Sequence, residues 1–367
     1  MAELDKHKLT AIVSKLMHHH KGILAADESN ISCNKRFLEI GIEGTSENRR
    51  RYREMLLTTP HIEKYISGVI LFDETIRQMT LDGELFRDLL KRKGVLVGIK
   101  VDKGLDPLSP DSSETKTKGI EDLRNRLLDY KQMNAVFTKW RAAFVVGDDL
   151  PSQRAVQENC EILARYARIV QEMGMVPIVE PEVLLEGNHT IEKAHEVTET
   201  VLSTLFEEFV RQDVYLGGLI LKTSMVLAGG DAPFQVSHEL VAGHTEEVLK
   251  KVVPAHTGGV VFLSGGQSPD YAVHNLNEIT KRGPYPWPVT FSFSRALQAP
   301  ALGVWEGNDS NVKKAQKLFQ ERIIANALAR QGKLEHAKGQ VSRHHVSSMR
   351  GFFYTLVVLI IIFLLVL

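Results

Sequence analysis

Lys222 closes an apolar run, Gly218-Leu219-Ile220-Leu221-Lys222, and polar Thr223-Ser224 follows it. An ammonium group at the end of a buried strand is costly to desolvate, which favours the free, nucleophilic amine. That is the group needed to attack a carbonyl and form a Schiff base. Alone, the same residues describe a lysine snorkelling from a strand end. Other apolar runs end in the same way, however. In chain order their polar ends are Asp27, Asp73 with Glu74, Lys100 with Lys103, and Lys139 with Arg141. Glu180 with Glu182, Lys222, Ser264 with Gly265-Gly266, and Ser292 with Arg295 complete the series.

Three chemistries are present among these groups. Lys222, Lys139 and Lys100 are amines, and crowded amines disfavour one another's charge, leaving one free to act as nucleophile. Asp27, Glu180 and Glu182 are carboxylates that can move protons or hold the lysines in place. The segments Ser264-Gly265-Gly266-Gln267-Ser268 and Ser292-Phe293-Ser294-Arg295 pair turn glycines and hydroxyls with a cation, a combination suited to phosphate.

The elements that must position them are eight short apolar runs, at 22–27, 67–74, 94–103, 135–144, 174–183, 217–226, 258–266 and 287–297. Each is too short for a typical helix, and several open with Gly, as strands after turns do. Longer charged stretches with helical spacing lie between them. Strand and helix alternating eight times predicts an α/β fold, a (β/α)8 TIM barrel whose site lies at the C-terminal ends of the strands. An open doubly wound sheet is the alternative. It would more often carry a glycine-rich dinucleotide fingerprint at its first turn, and the run at 22–27 has none.

Bulk composition narrows the partners. The 367 residues hold 45 basic and 45 acidic side chains, so no global field favours nucleic acid. Two cysteines, Cys33 and Cys160, make neither a disulfide framework nor a cysteine-rich metal site. The charged N-terminus has no signal-peptide character, which predicts a cytoplasmic barrel domain. The expected organisation is a barrel over 1–338, a polar and basic linker over 339–351, and a hydrophobic segment over 352–367. As a helix that last segment would span about 24 Å, slightly short of a bilayer core. With Arg343 and Arg350 ahead of it, it reads as a tail anchor making membrane contact. A final helix docked on the barrel is the other reading, but the segment lacks a polar face. His18-His19-His20 reads as surface, since consecutive histidines do not converge on a metal.

The strings GILAADES, GVILFDET, GIKVDKG, FTKWR, VPIVEPE, LILK, FLSGGQS and TFSFSRALQ, in that order, resemble class I fructose-1,6-bisphosphate aldolase over roughly residues 5 to 340. The resemblance implies a metal-independent carbon–carbon lyase with no cofactor beyond a covalent Schiff base on Lys222. It would cleave fructose 1,6-bisphosphate, in glycolysis and gluconeogenesis, as a homotetramer. It also implies roles. Glu180 shuttles protons during imine formation, and Asp27 acts in deprotonating the carbon 4 hydroxyl. Lys139 polarises the substrate, and Glu182 positions the lysines. Arg295, Ser264, Gly265 and Ser292 serve one phosphate. Lys100, Arg141 and Ser29, with Ser32 and Arg36, serve the rest of the substrate.

Three departures from the family pattern stand out. Asn30-Ile31 replaces the usual Thr-Gly, which predicts a remodelled loop, because Ile31 lacks glycine's conformational freedom. Ser294 replaces the glycine before the phosphate-binding arginine, where a side chain would crowd a close approach. The family's C-terminal tyrosine is missing, and Tyr354 lies inside the apolar segment, so enamine protonation should be slowed. Two rival readings are a catalytically impaired, membrane-tethered scaffold with the aldolase fold, and a Schiff-base barrel aldolase acting on another phosphorylated sugar.

Overall fold

All eight apolar runs are strands, and the residues that open and close each one explain why. The structure, a computed structural model, describes residues 4–335. In chain order the strands are β1 Gly22–Ala26, β2 Ile66–Leu71, β3 Leu96–Lys100, β4 Leu105–Pro107, β5 Thr115–Thr117, β6 Ala135–Phe144, β7 Val176–Val183, β8 Ile220–Thr223, β9 Gly259–Phe262 and β10 Val289–Phe293. Eight of them close a parallel barrel in the order β1-β10-β9-β8-β7-β6-β3-β2. Helices follow the strands, several capped by a Ser or Thr side chain. Ser152, Thr190, Ser237 and Ser268 each accept a backbone N–H from the first turn. The expected (β/α)8 barrel is therefore the observed fold.

Successive residues of a strand point to opposite faces. In the lower barrel the inward positions are apolar: Ile23 and Ala25, Ile70, Phe137, Val176 and Ile178, Ile220, and Val261 form one buried cluster. Helix Lys6–Leu16 plugs this end by adding Leu9, Val13 and Leu16 to it. Two residues further along the same inward faces come Asp27, Lys139, Glu180 and Lys222. The barrel floor thus turns from apolar to charged within one step of the pleat. Phe137 is large because Gly98 faces it, and a Cβ on Gly98 would lie 2.2 Å from the ring. A second, larger cluster, including Trp140, Tyr166, Phe209, Phe262 and Trp305, fills the layer between strands and helices.

The antiparallel hairpin β4–β5 was not among the expected elements. It is tied to the end of β6, since the Thr117 hydroxyl donates to the Arg141 carbonyl at 2.8 Å. The expected remodelling around Ile31 also takes a different form. Ile31 lies in the first turn of helix Asn30–Leu38, where no left-handed backbone is needed. Its side chain is 84% exposed at the mouth of the cleft described below. Among the described residues no helix is long and apolar enough to cross a membrane, and the segment 352–367 lies outside them.

Candidate active site

The C-terminal ends of the barrel strands surround a cleft of about 1020 Å³. Every residue expected to carry the chemistry lines it: Lys222, Glu180, Asp27, Lys139 and Glu182, and Arg295, Ser264, Gly265, Lys100, Arg141, Ser29, Arg36 and Ser292. Strand pairing explains the convergence. Lys139 is level with Lys100 on β3, and Arg141 is level with Glu180 on β7.

Four buried charges form a chain across the floor. Lys139 Nζ lies 2.7 Å from Asp27 Oδ2 and 2.9 Å from Glu180 Oε2. Lys222 Nζ lies 2.9 Å from the other Glu180 oxygen, Oε1. All four side chains are nearly inaccessible to solvent. Burial works against the Lys139 charge, but Asp27 and Glu180 outweigh it and lift the pKa above the ordinary lysine value. Burial also opposes the Glu180 charge. There Lys139 and Lys222 outweigh it and hold the carboxyl well below the usual carboxylate range. Glu180 is therefore an anion touching two amines, placed to exchange a proton with Lys222.

The cations around the floor fall into two groups. Lys100 is paired with Asp102, Arg141 with Glu182, and Arg36 with Glu28. Arg295, by contrast, has no carboxylate partner among the described residues. One of its guanidinium nitrogens lies 3.8 Å from where a Cβ on Gly266 would stand. Gly265 and Gly266 have φ values of +47° and +88°, a left-handed turn. Among the described residues neither of their N–H groups has a protein partner, and successive free N–H groups in such a turn form an anion nest. The buried Ser292 hydroxyl nearby has no hydrogen-bond partner either. Free donors are thus concentrated at the ends of β9 and β10.

Sequence reasoning missed Glu28 and Asp102. Glu28 is buried and accepts from Arg36, from Arg53 Nη2 at 2.6 Å and from the Ser294 hydroxyl at 2.5 Å. Burial disfavours its charge, but Arg53 and Arg36 prevail and hold its carboxyl far below the usual range. Its partners come from 8 to 266 residues away, so no local pattern marks it. Asp102 had a signal, since it stands two residues after Lys100 and so faces the same way. Ser294 does not crowd the nest with a free hydroxyl, because that hydroxyl is turned to Glu28. Ser29 caps helix Asn30–Leu38, accepting from the Ser32 N–H at 3.3 Å. Glu74, expected on the rim, is instead held by two bonds of 2.7 Å from Arg49 and does not line the cleft.

No group of histidine, cysteine or acidic residues among the described residues could hold a metal ion. The model of the family described as fructose-bisphosphate aldolase class-I matches residues 8–353. A probable fructose-bisphosphate aldolase class 1 of Xanthomonas campestris is 49% identical over 85% of this chain and 94% of its own length. Cytosolic fructose-bisphosphate aldolase 4 of Arabidopsis thaliana is also 49% identical, over 85% of this chain and 80% of its own length. For fructose-bisphosphate aldolase C-B of Danio rerio the identity is 47%, over 90% of this chain and 91% of that protein. Among solved structures, Plasmodium falciparum fructose-bisphosphate aldolase, in complex with TRAP and a small-molecule inhibitor, superposes with a TM-score of 0.88. It is 42% identical, covering 89% of this chain and 95% of that one. With its barrel, its lysine–carboxylate floor and these relatives, the chain belongs to the class-I fructose-bisphosphate aldolase family.

Proposed function

We propose that this chain is a fructose-bisphosphate aldolase, reversibly cleaving fructose 1,6-bisphosphate into dihydroxyacetone phosphate and glyceraldehyde 3-phosphate. The observation that carries the reading is the buried sequence of contacts Lys222–Glu180–Lys139–Asp27 at the base of a phosphate-suited cleft. Glu180 takes a proton from Lys222, and the amine attacks the substrate's carbon 2 carbonyl. Glu180 then returns a proton to the carbinolamine hydroxyl, which leaves as water and gives an iminium ion. Asp27 acts in removing the proton of the carbon 4 hydroxyl. The bond between carbons 3 and 4 breaks, its electron pair enters the iminium as an enamine, and the aldehyde departs. Protonation at carbon 3 and hydrolysis free the second product and Lys222.

Lys139 bridges Asp27 and Glu180 at the cleft floor, and Glu182, expected to position the lysines, pairs instead with Arg141 at the wall. Arg295, the Gly265-Gly266 turn, Ser264 and Ser292 take one phosphate. Lys100, Arg141, Ser29, Ser32 and Arg36 serve the rest of the substrate. No metal is required, because the iminium is the electron sink. The intact charged floor favours this enzyme over an inactive scaffold. A homotetramer in the cytoplasm, tethered to a membrane through 352–367, completes the reading.

The test is cleavage of fructose 1,6-bisphosphate by the full-length chain in detergent, beside Lys222→Met. Borohydride should trap radiolabelled dihydroxyacetone phosphate on the wild type and not on the variant. A folded wild type that neither cleaves nor traps would refute the proposal. Flotation with liposomes, compared for the full chain and one ending at Gln340, tests the tether. Sedimentation of the shorter chain tests the tetramer.

A further inference from the structure

A second cleft, of about 630 Å³, lies at the opposite end of the barrel, around the first residues of β3, β6 and β7. Lys8, Lys15, Lys21, Lys91 and Lys131 line it, and no Asp or Glu does. Among the described residues, none of these five ammonium groups lies within ion-pairing distance of a carboxylate. Some exposed lysines elsewhere are paired, as Lys103 is with Asp122 and Lys118 with Asp106; what sets these five apart is that they share one cleft with no carboxylate in its lining. The Lys8 ammonium stands over Gly174, 3.2 Å from where a Cβ would be. Lys91 reaches only the Asn134 amide oxygen, at 3.5 Å.

One wall, the turn from His18 to Lys21, carries a further charge behind it. The buried Arg330 guanidinium donates to the carbonyls of Met17 at 3.0 Å and Lys21 at 2.7 Å, and to that of His18. Among the described residues it has no carboxylate partner. Lys15, Lys91 and Lys131 sit in the last turns of their helices, which accounts for part of the pattern. Each helix end supplies roughly half a negative charge, so three ends offset about 1.5 of the six positive charges.

We propose that this cleft is a second anion site, separate from the catalytic one, for a compact anion carrying two or more phosphate groups. Its volume is that of a small-molecule site. Lysines bind phosphate as point charges, and a single anion touching several of them relieves their mutual repulsion. Free polyphosphates and polyphosphorylated lipid headgroups share this chemistry. The proposal does not depend on the reaction assigned to the opposite face.

Isothermal titration of the full-length chain with inorganic tripolyphosphate is the test. Wild type should show two classes of site, both weakening as salt rises. Lys15→Gln/Lys91→Gln/Lys131→Gln should weaken one class at least tenfold while leaving fructose 1,6-bisphosphate cleavage and the thermal midpoint unchanged. Arg295→Ala should weaken the other class. In parallel, the same triple variant is compared with wild type for binding to vesicles with and without a bisphosphorylated inositol lipid. Loss of tripolyphosphate uptake supports a soluble anion, and a loss confined to the inositol-lipid vesicles supports a headgroup. A triple variant identical to wild type in both assays overturns the proposal.

Discussion

Glu28→Gln is the substitution that tests the electrostatic framework of the cleft most directly. The Glu28 side chain is 6% exposed and Arg53 2%, and Arg36, on the other oxygen, is 20% exposed. Glutamine keeps the volume but removes the anion that two guanidinium groups share. Its amide oxygen can accept from one of them, while its NH2 group must face donors. Arg53 Nη1 already has no hydrogen-bond partner, so no second acceptor is at hand. Removing one partner of a buried ion pair costs about 3–5 kcal/mol, chiefly because the other charge stays buried. That corresponds to roughly two to three and a half decades in the folded-to-unfolded ratio. Equilibrium urea unfolding should show this loss. Arg53→Met added to Glu28→Gln should lose less than the two single losses summed, since it removes the stranded charge. A loss below about 1 kcal/mol with an additive double mutant would show that water already solvates the guanidinium groups, and the reasoning would fail.

Four further outcomes follow from the same geometry. Glu28 and Glu180 both have folded pKa values below the unfolded 4.5, so their stabilisation is complete above that pH and is lost as pH falls below it. The urea midpoint should be nearly level from pH 7 to about 5 and drop steeply from about 4.5; an undiminished midpoint at pH 3 contradicts this. Ser294→Ala removes a hydroxyl donating to a carboxylate at 2.5 Å and should cost about 1.5–3 kcal/mol in the same assay. Gly98→Ala places a Cβ 2.2 Å from the Phe137 ring and should cost about 1–3 kcal/mol by overpacking, read as a lower thermal midpoint. Arg295→Ala should raise KM about tenfold or more, and by more than Lys100→Ala, because Arg295, unlike Lys100, has no carboxylate partner among the described residues; equal effects would count against that distinction.

What could be read from the sequence was whatever the pleat writes locally. Each barrel strand showed as an apolar run with a polar end, because its lower half is buried on both faces and its upper end meets the cleft. The site followed from the same alternation: Phe137 and Lys139, Ile178 and Glu180, and Ile220 and Lys222 are successive inward positions. Long-range partners were not legible. Glu28 adjoins Asp27, yet its role depends on Arg53 and Ser294, brought to it by separate elements. Strands β4 and β5 have three residues each, too few for any periodicity. Helix Lys6–Leu16 could be recognised as charged, but not as the plug of the barrel floor. The remodelling expected at Ile31 rested on the loss of glycine's freedom, whereas Ile31 stands in the first turn of a helix capped by Ser29, where that freedom is not used.

The distribution of free and paired donors implies that the two ends of a bisphosphate are held in different ways. At β9 and β10 the Gly265 and Gly266 N–H groups, Arg295 and the Ser292 hydroxyl have no hydrogen-bond or carboxylate partner among the described residues. An anion there gains charge-assisted bonds without breaking protein contacts, which is preorganisation. Across the cleft, Lys100, Arg141 and Arg36 each hold a carboxylate. A phosphate reaching them must compete with that carboxylate, so the gain per contact is smaller and depends on rearrangement. On the proposed reading, the free end would fix the register of the sugar over Lys222, and the paired end would adjust to it. Such an arrangement suits the proposed reaction, which splits its substrate, if the fragment bound as the imine is the one held at the preorganised end. The aldehyde would then depart from the end where Glu28, Asp102 and Glu182 pair with the cations again.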